Sequence, residues 1–167
     1  FNTFPEPNIY HKMWIDLSAS KDWELTRLIN PTPFIPLSDD YNRSCKEIFS
    51  IQVLGLIKRI AHTQTKSLVI GISGGLDSTL ALLVCIKALD KLDLSRKMVC
   101  GVTMPGFGTT DRTYTNALKL MKLLGISTRE INIKPAVELH FKDIGHDPAV
   151  QNVVYENTQA RERTQLL

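Results

Sequence analysis

The sequence predicts an α/β protein built on a doubly wound parallel sheet with flanking helices. Two short, nearly all-apolar runs, Ser67–Ile72 and Met98–Met104, suit strands buried on both faces of a parallel sheet. Segments of helical character separate the strands, in the order α-β-α-β-α-β-α-α. That alternation implies right-handed crossovers. A polar, glycine-rich turn sits directly between the first strand and the helix that follows.

The elements follow from local chemistry. Ser44-Cys45-Lys46-Glu47 reads as a capping box. Behind it Ile48, Ile51, Leu54, Ile57 and Ile60 recur, which predicts a helix over about 45–62. Thr79 to about Lys91 is rich in Leu and Ala, hence helical. A helix over 112–124 is stopped by Gly125, with Asp111 as its cap. Thr128–Ile133 reads as a third strand. Pro135 opens a helix to about Ile144, with Gly145 after it. A last helix starts at Asn152 or Val153 and reaches Leu167 with no cap, Gly or Pro to close it. The expectation is therefore a domain truncated at its C-terminus, a piece of a longer polypeptide.

Residues 1–35 differ from the rest and read as a connector or the tail of a preceding domain, with 36–167 as the domain proper. Five of the eight prolines (Pro5, Pro7, Pro31, Pro33 and Pro36) and both tryptophans fall within the first 40 residues. A short helix over about 21–29, capped by Ser20, must end before Asn30-Pro31-Thr32-Pro33, because proline disfavours α at the residue before it.

Bulk composition narrows the function. With 43% hydrophobic and 22% charged residues, the 167-residue chain has the proportions of a globular protein with a real core. A net charge of +3 would help attract a polyphosphate but is too small to argue for nucleic acid. No apolar run reaches the ~18–20 residues of a membrane span, so no membrane partner is expected. Cys45, Cys85 and Cys100 are widely spaced, without zinc spacing, and read as core thiols. That composition leads us to expect a cytoplasmic, reducing compartment.

The chemistry is concentrated at Gly71-Ile72-Ser73-Gly74-Gly75-Leu76-Asp77-Ser78. In an open α/β sheet, ligands bind at the carboxyl ends of strands. A helix start offers unpaired N–H groups and a partial positive charge, which suits a phosphate. Gly74 and Gly75 let the backbone approach an anion without Cβ interference. Ser73 and Ser78 add hydroxyl donors. Asp77 should repel phosphate, and a magnesium ion between them would remove the conflict.

Three other readings of this loop stand beside that one. It is a plain glycine turn with Asp77 or Ser78 capping the helix. Alternatively, Gly71-Ile72-Ser73-Gly74-Gly75 is the Gly-x-Ser-x-Gly elbow of a serine hydrolase. Ser73 would then be the nucleophile, Asp111 or Asp143 the acid, and His140 or His146 the base. Or the loop belongs to a nucleotide-binding module without chemistry. The Walker and Gly-x-Gly-x-x-Gly patterns do not match. His140, His146, Asp143 and Asp147 lack tight ligand spacing and are set aside as a metal site.

Ser-Gly-Gly-Leu-Asp-Ser at 73–78 resembles the signature of the N-type ATP pyrophosphatases, which include the NAD, GMP, asparagine and argininosuccinate synthetases. Met104–Asp111 and Tyr155–Thr164 resemble the glutamine-dependent NAD synthetases in particular, as does the stretch from Pro33 to Phe49. The resemblance covers roughly residues 30–167. It implies a fold of the adenine nucleotide alpha hydrolase type and a ligase of NAD biosynthesis. In that reaction ATP adenylates deamido-NAD, and ammonia made from glutamine by a separate glutaminase domain displaces AMP. By position, the resemblance assigns Gly71 to Ser78 to ATP, Asp77 to Mg2+, and Asn157 and Arg161 to deamido-NAD. Asn157 and Arg161 share a helix face, and a guanidinium suits a dinucleotide's phosphates or carboxylate. The loop Gly106–Asp111 would be a wall of the ATP site. Asn157, Arg161 and this loop also have plain readings, as a helix-start residue, a solvated ion-pair partner and an ordinary connection.

The resemblance further implies a homo-oligomer. Family members carry a further Gly-Thr-Gly-Asp-like segment and another magnesium ligand beyond this region, as well as glutaminase Cys, Lys and Glu residues. None is found in these residues, and none of the three cysteines fills the glutaminase role. The expectation is that this stretch keeps half of a nucleotide site and does not complete catalysis alone.

Overall fold

A computed structural model describes residues 13–15, 26–35 and 40–167. The chain divides into two compact units, Phe1–Ile35 and Pro36–Leu167. In the first, Asn30 Oδ1 accepts from Thr32 N at 2.9 Å, and Ile35 N donates to Thr32 O at 3.1 Å. Pro33 sits where its fixed φ suits such a turn. Of the helix expected over 21–29, residues 21–25 lie outside the described residues, and 26–29 are not helical.

The second unit runs α1 (Tyr41–Thr63), β1 (Leu68–Gly71), α2 (Leu76–Lys91), a 3-10 turn (Arg96–Met98), β2 (Val99–Thr103), α3 (Asp111–Leu124), β3 (Ser127–Glu130), α4 (Lys134–Asp143) and α5 (Val153–Leu166). All pairings are parallel, in the order β1-β2-β3. The register sets Gly71 beside Val102 and Val102 beside Arg129. One further bond, Ile72 N to Val102 O at 2.7 Å, extends the β1–β2 ladder into the loop.

Alternation along β2 divides the core between two faces of the sheet. Val99 packs with α1, α2 and α3 through Val53, Ile60, Leu82, Leu89, Ala117 and Met121. Gly101 faces the same side, because a Cβ there would lie 2.5 Å from Met121 Sδ and 2.8 Å from Ile126 Cδ1. The missing side chain lets α3 press onto the strand. Cys100 and Val102 turn to the other face, against Ile133, Val137 and Phe141 around α4 and Tyr155 of α5.

Several expectations are corrected. Helix α1 begins at Tyr41, so Ser44 and Glu47 lie inside it, and the N-cap Asp40 makes no side-chain cap bond. Nothing in Tyr41-Asn42-Arg43 breaks a helix, and the local capping pattern is overridden. The inward face of α1 is Phe49, Val53, Leu56, Ile57 and Ile60, while Ile48, Ile51 and Leu54 are exposed. A strict three-residue spacing falls about 60° short of a 3.6-residue turn at each step, so that series winds off the core face.

Strand β1 is not buried on both faces. It pairs on one side only among the described residues, and Val69 is 53% exposed. Cys45 is exposed and only Cys85 and Cys100 are half-buried; burial pushes the Cys85 thiol pKa up. The cap of α3 is Thr110, whose Oγ1 accepts from Thr113 N at 3.3 Å, and not Asp111.

Leu89 is fully buried between helices and sheet, whereas Leu123 on α3 is 83% exposed. Leu89→Ala should destabilise the protein by about 2–5 kcal/mol in urea titration. Leu123→Ala should change stability by less than about 0.5 kcal/mol.

Candidate functional site

Because β1 and β2 are parallel neighbours, the loops leaving their carboxyl ends emerge side by side. Between them and α5 lies a cavity of about 460 Å³. The first loop supplies Gly71, Ile72 and Ser73; the end of β2 and its loop supply Thr103, Met104, Gly108 and Thr109. Thr113 of α3 and Glu156, Gln159, Arg163 and Leu167 at the α5 end complete it.

The first loop is braced by its own polar groups. Gly75 N donates to Ser73 Oγ at 3.2 Å, Ser73 Oγ and Ser78 Oγ are 3.1 Å apart, and Ser78 Oγ donates to Gly75 O at 3.2 Å. Thr79 N and Oγ1 both donate to Gly75 O. Gly75 is the N-cap of α2, and no side chain caps the helix. The amides of Leu76, Asp77 and Ser78 therefore start a 16-residue helix with no partner inside it. Such a terminus attracts anions. The plain-cap reading of Asp77 or Ser78 is thereby overturned.

The reason for Gly74 differs from the one expected. Its φ is +81°, and a Cβ there would stand 2.1 Å from Thr113 O. Packing of the loop against α3 requires this glycine, whatever binds outside. Gly75 has φ −86° and would place a Cβ 3.4 Å from Ser73 Oγ, an ordinary contact.

The second loop is pinned to α5. Gln159 Oε1 accepts from Phe107 N at 3.0 Å, and Gly106 N donates to Thr109 Oγ1 at 2.9 Å. Phe107, Phe141 and Tyr155 cluster behind it, with Phe141 and Tyr155 stacked at 5.5 Å. Gly108 and Thr109 of the Gly106–Asp111 loop thus line the same cavity as Ser73. Asp111 lines a separate cleft of about 290 Å³ with Tyr114, Glu130 and Lys134.

Among the described residues, no histidine is placed to serve Ser73 as a base. Ser73 Oγ bonds only Gly75 and Ser78 among the described residues, His140 Nδ1 lies 3.2 Å from Glu162 Oε1, and His146 Nε2 lies 3.0 Å from Val150 O. Neither histidine lines the cavity with Ser73. An elbow serine without a base in reach is not an activated nucleophile.

Asp77 is exposed in the first turn of α2. No group of three or more His, Cys, Asp or Glu gathers as a metal cage among the described residues. Magnesium characteristically takes one or two carboxylates plus substrate phosphates and water, so one carboxylate beside uncapped helix-start amides fits it. Asn157 and Arg161 are both exposed and line neither cavity. Three residues of α5 that the sequence reading left out of the site, Glu156, Gln159 and Arg163, face the cavity instead. Their spacing of three and four is a helix-face signal, but α5 carries too little apolar contrast to mark which face turns inward.

A glycine-rich turn between a parallel strand and a helix start, walled by the neighbouring strand's loop, is where open α/β folds place a ligand site, and it marks this chain as an α/β domain of that kind. The NAD synthase family model matches residues 48–167. The chain belongs to the NAD synthase family. The glutamine-dependent NAD(+) synthetase of Mycobacterium leprae is 39% identical over 148 residues, which are 86% of this chain and 22% of that protein. The chain thus spans about a fifth of the length of this curated relative. Among solved structures, the glutamine-dependent NAD+ synthetase of Acinetobacter baumannii, in complex with ADP, shares the fold. It has a TM-score of 0.65 and 24% identity, covering 73% of this chain and 22% of that one. An NMN synthetase from Francisella tularensis aligns with a TM-score of 0.61 and 27% identity, covering 73% of this chain and 48% of that one.

Gly74→Ala should lower stability by about 1–3 kcal/mol, since both the backbone conformation and the Thr113 contact oppose a side chain. Gly75→Ala should leave the melting temperature close to wild type. Thermal unfolding of the two variants compares them.

Proposed function

We propose that the full protein is a glutamine-dependent NAD synthetase and that this chain carries the pyrophosphate-binding half of its ATP site. The observation that carries the reading is the loop at 71–78. It presents uncapped helix amides beside a cavity walled by the β2 loop, in a chain that belongs to the NAD synthase family.

The chemistry asked of these residues is electrostatic. The nicotinate carboxylate of deamido-NAD attacks the α-phosphorus of ATP, and the bond to the bridging oxygen breaks with release of pyrophosphate. Ammonia from a glutaminase domain then displaces AMP to form the amide of NAD. Negative charge accumulates on the departing pyrophosphate, and the amides at the start of α2 are already oriented to receive it. Ser78 commits its one hydroxyl proton to Gly75 O and holds the turn, Ser73 is the hydroxyl left to turn its proton outward, and no protein nucleophile is needed. Mg2+, held by Asp77, would neutralise phosphate charge next to that carboxylate. Asn157 and Arg161 would meet deamido-NAD from the exposed face of α5, outside the cavity, a position suited to a substrate that extends beyond it.

Pyrophosphate release from Mg-ATP by the full protein, offered deamido-NAD, nicotinate mononucleotide, xanthosine monophosphate, aspartate or citrulline in turn, tests the assignment. Release with deamido-NAD is expected. Release only with another acceptor would keep the loop assignment and move the protein to a sister reaction. ATP binding with no release under any acceptor would leave a binding module. Asp77→Asn should reduce magnesium-dependent release by about 100-fold or more, as expected when a charge-stabilising contact to the leaving group is lost.

A further inference from the structure

Arg163 is the cation whose setting the loop assignment leaves unexplained. It lines the cavity together with Ser73, Met104 and Thr109. Its Nε donates to Met104 O at 3.4 Å, so the side chain is tethered to the end of β2. The loop backbone crowds against it. A Cβ on Gly106 would fall 2.8 Å from Arg163 Nη2 and 2.7 Å from Gln159 Oε1. The glycine leaves room for a guanidinium to lie along the loop.

No carboxylate among the described residues accounts for this charge. Among the described residues the ion pairs are Arg96 with Asp90 and His140 with Glu162. Glu156 lines the same cavity without pairing to Arg163. Half-burial lowers the Arg163 pKa through desolvation. A partly desolvated guanidinium is costly to keep without an anion. Its Nε is engaged, and among the described residues its two Nη groups have no hydrogen-bond acceptor. A guanidinium fork of that kind matches two phosphate oxygens.

We infer that Arg163 is a phosphate-binding residue of this cavity, a second anion contact supplied by α5 in addition to the Ser73–Ser78 loop. The inference rests on the reading that the cavity holds the polyphosphate of a nucleotide. It assigns different partners to two arginines one half-turn apart: Arg163 to the polyphosphate inside, and the exposed Arg161 to whatever binds outside the cavity.

The test is calorimetric titration of the full protein with magnesium pyrophosphate and, separately, Mg-ATP. Wild type is compared with Arg163→Gln, Arg163→Lys and Arg161→Gln. Losing a charge-assisted hydrogen-bonding fork should weaken pyrophosphate binding about tenfold or more in Arg163→Gln. Arg163→Lys should recover part of the loss, and Arg161→Gln should bind pyrophosphate like wild type. If Arg163→Gln does not fold, Arg163→Lys carries the test alone and should bind several-fold more weakly than wild type. Wild-type affinity in whichever of these two variants folds would overturn the inference and leave Arg163 a structural tie to Met104. A wild-type protein that binds neither pyrophosphate nor Mg-ATP would overturn the nucleotide reading itself, and this inference with it.

Discussion

The parallel pairing of β1 with β2 is the constraint on which the site depends. The register that sets Gly71 beside Val102 brings two strand ends level, and the bond from Ile72 N to Val102 O carries the pairing one residue past the strand. Both loops must then leave from the same end of the sheet. One turns at once into α2 and offers its first amides. The other runs through Gly106 and Thr109 before α3 begins. Neither loop would define a cavity by itself. Packing joins them: Gly74 fits against Thr113 of α3, and Gln159 of α5 holds Phe107.

Two glycines therefore serve different ends within one site. Gly74 is required by a left-handed backbone and by the approach of α3. Gly106 gives up its side chain so that Gln159 and Arg163 can reach the loop. The aromatic cluster of Phe107, Phe141 and Tyr155 stiffens the far wall from the other face of the sheet. The Arg163 guanidinium lines the cavity, and the uncapped start of α2 follows directly on the loop that supplies Ser73. Both are held in place by packing within the fold.

Much of this was legible in the sequence because the signals are local. Element order follows from the alternation of apolar runs with helical segments, and Gly125 closes α3 in the left-handed conformation expected of it. The loop at 71–78 stands out because its residue types are more than a turn needs. What escaped the sequence was set by tertiary packing. The evenly spaced Ile48, Ile51 and Leu54 were misleading, since a period of three does not track a helix. Exposure of Val69 depends on which strands flank β1, which a short apolar run does not encode. The inward face of α5 was hidden because Glu156, Gln159 and Arg163 are no more apolar than Asn157 and Arg161. Only the position of the Gly106 loop distinguishes the two faces.

In the proposed function, the amides at the start of α2 receive the pyrophosphate portion of ATP. A crystal structure of the full protein with magnesium and an ATP analogue blocked at the α,β bridge tests it most directly. The expected result places β- and γ-phosphate oxygens within hydrogen-bond distance of the backbone amides between Gly74 and Ser78, with the metal against Asp77. Phosphates held elsewhere, with those amides left to solvent, would contradict it.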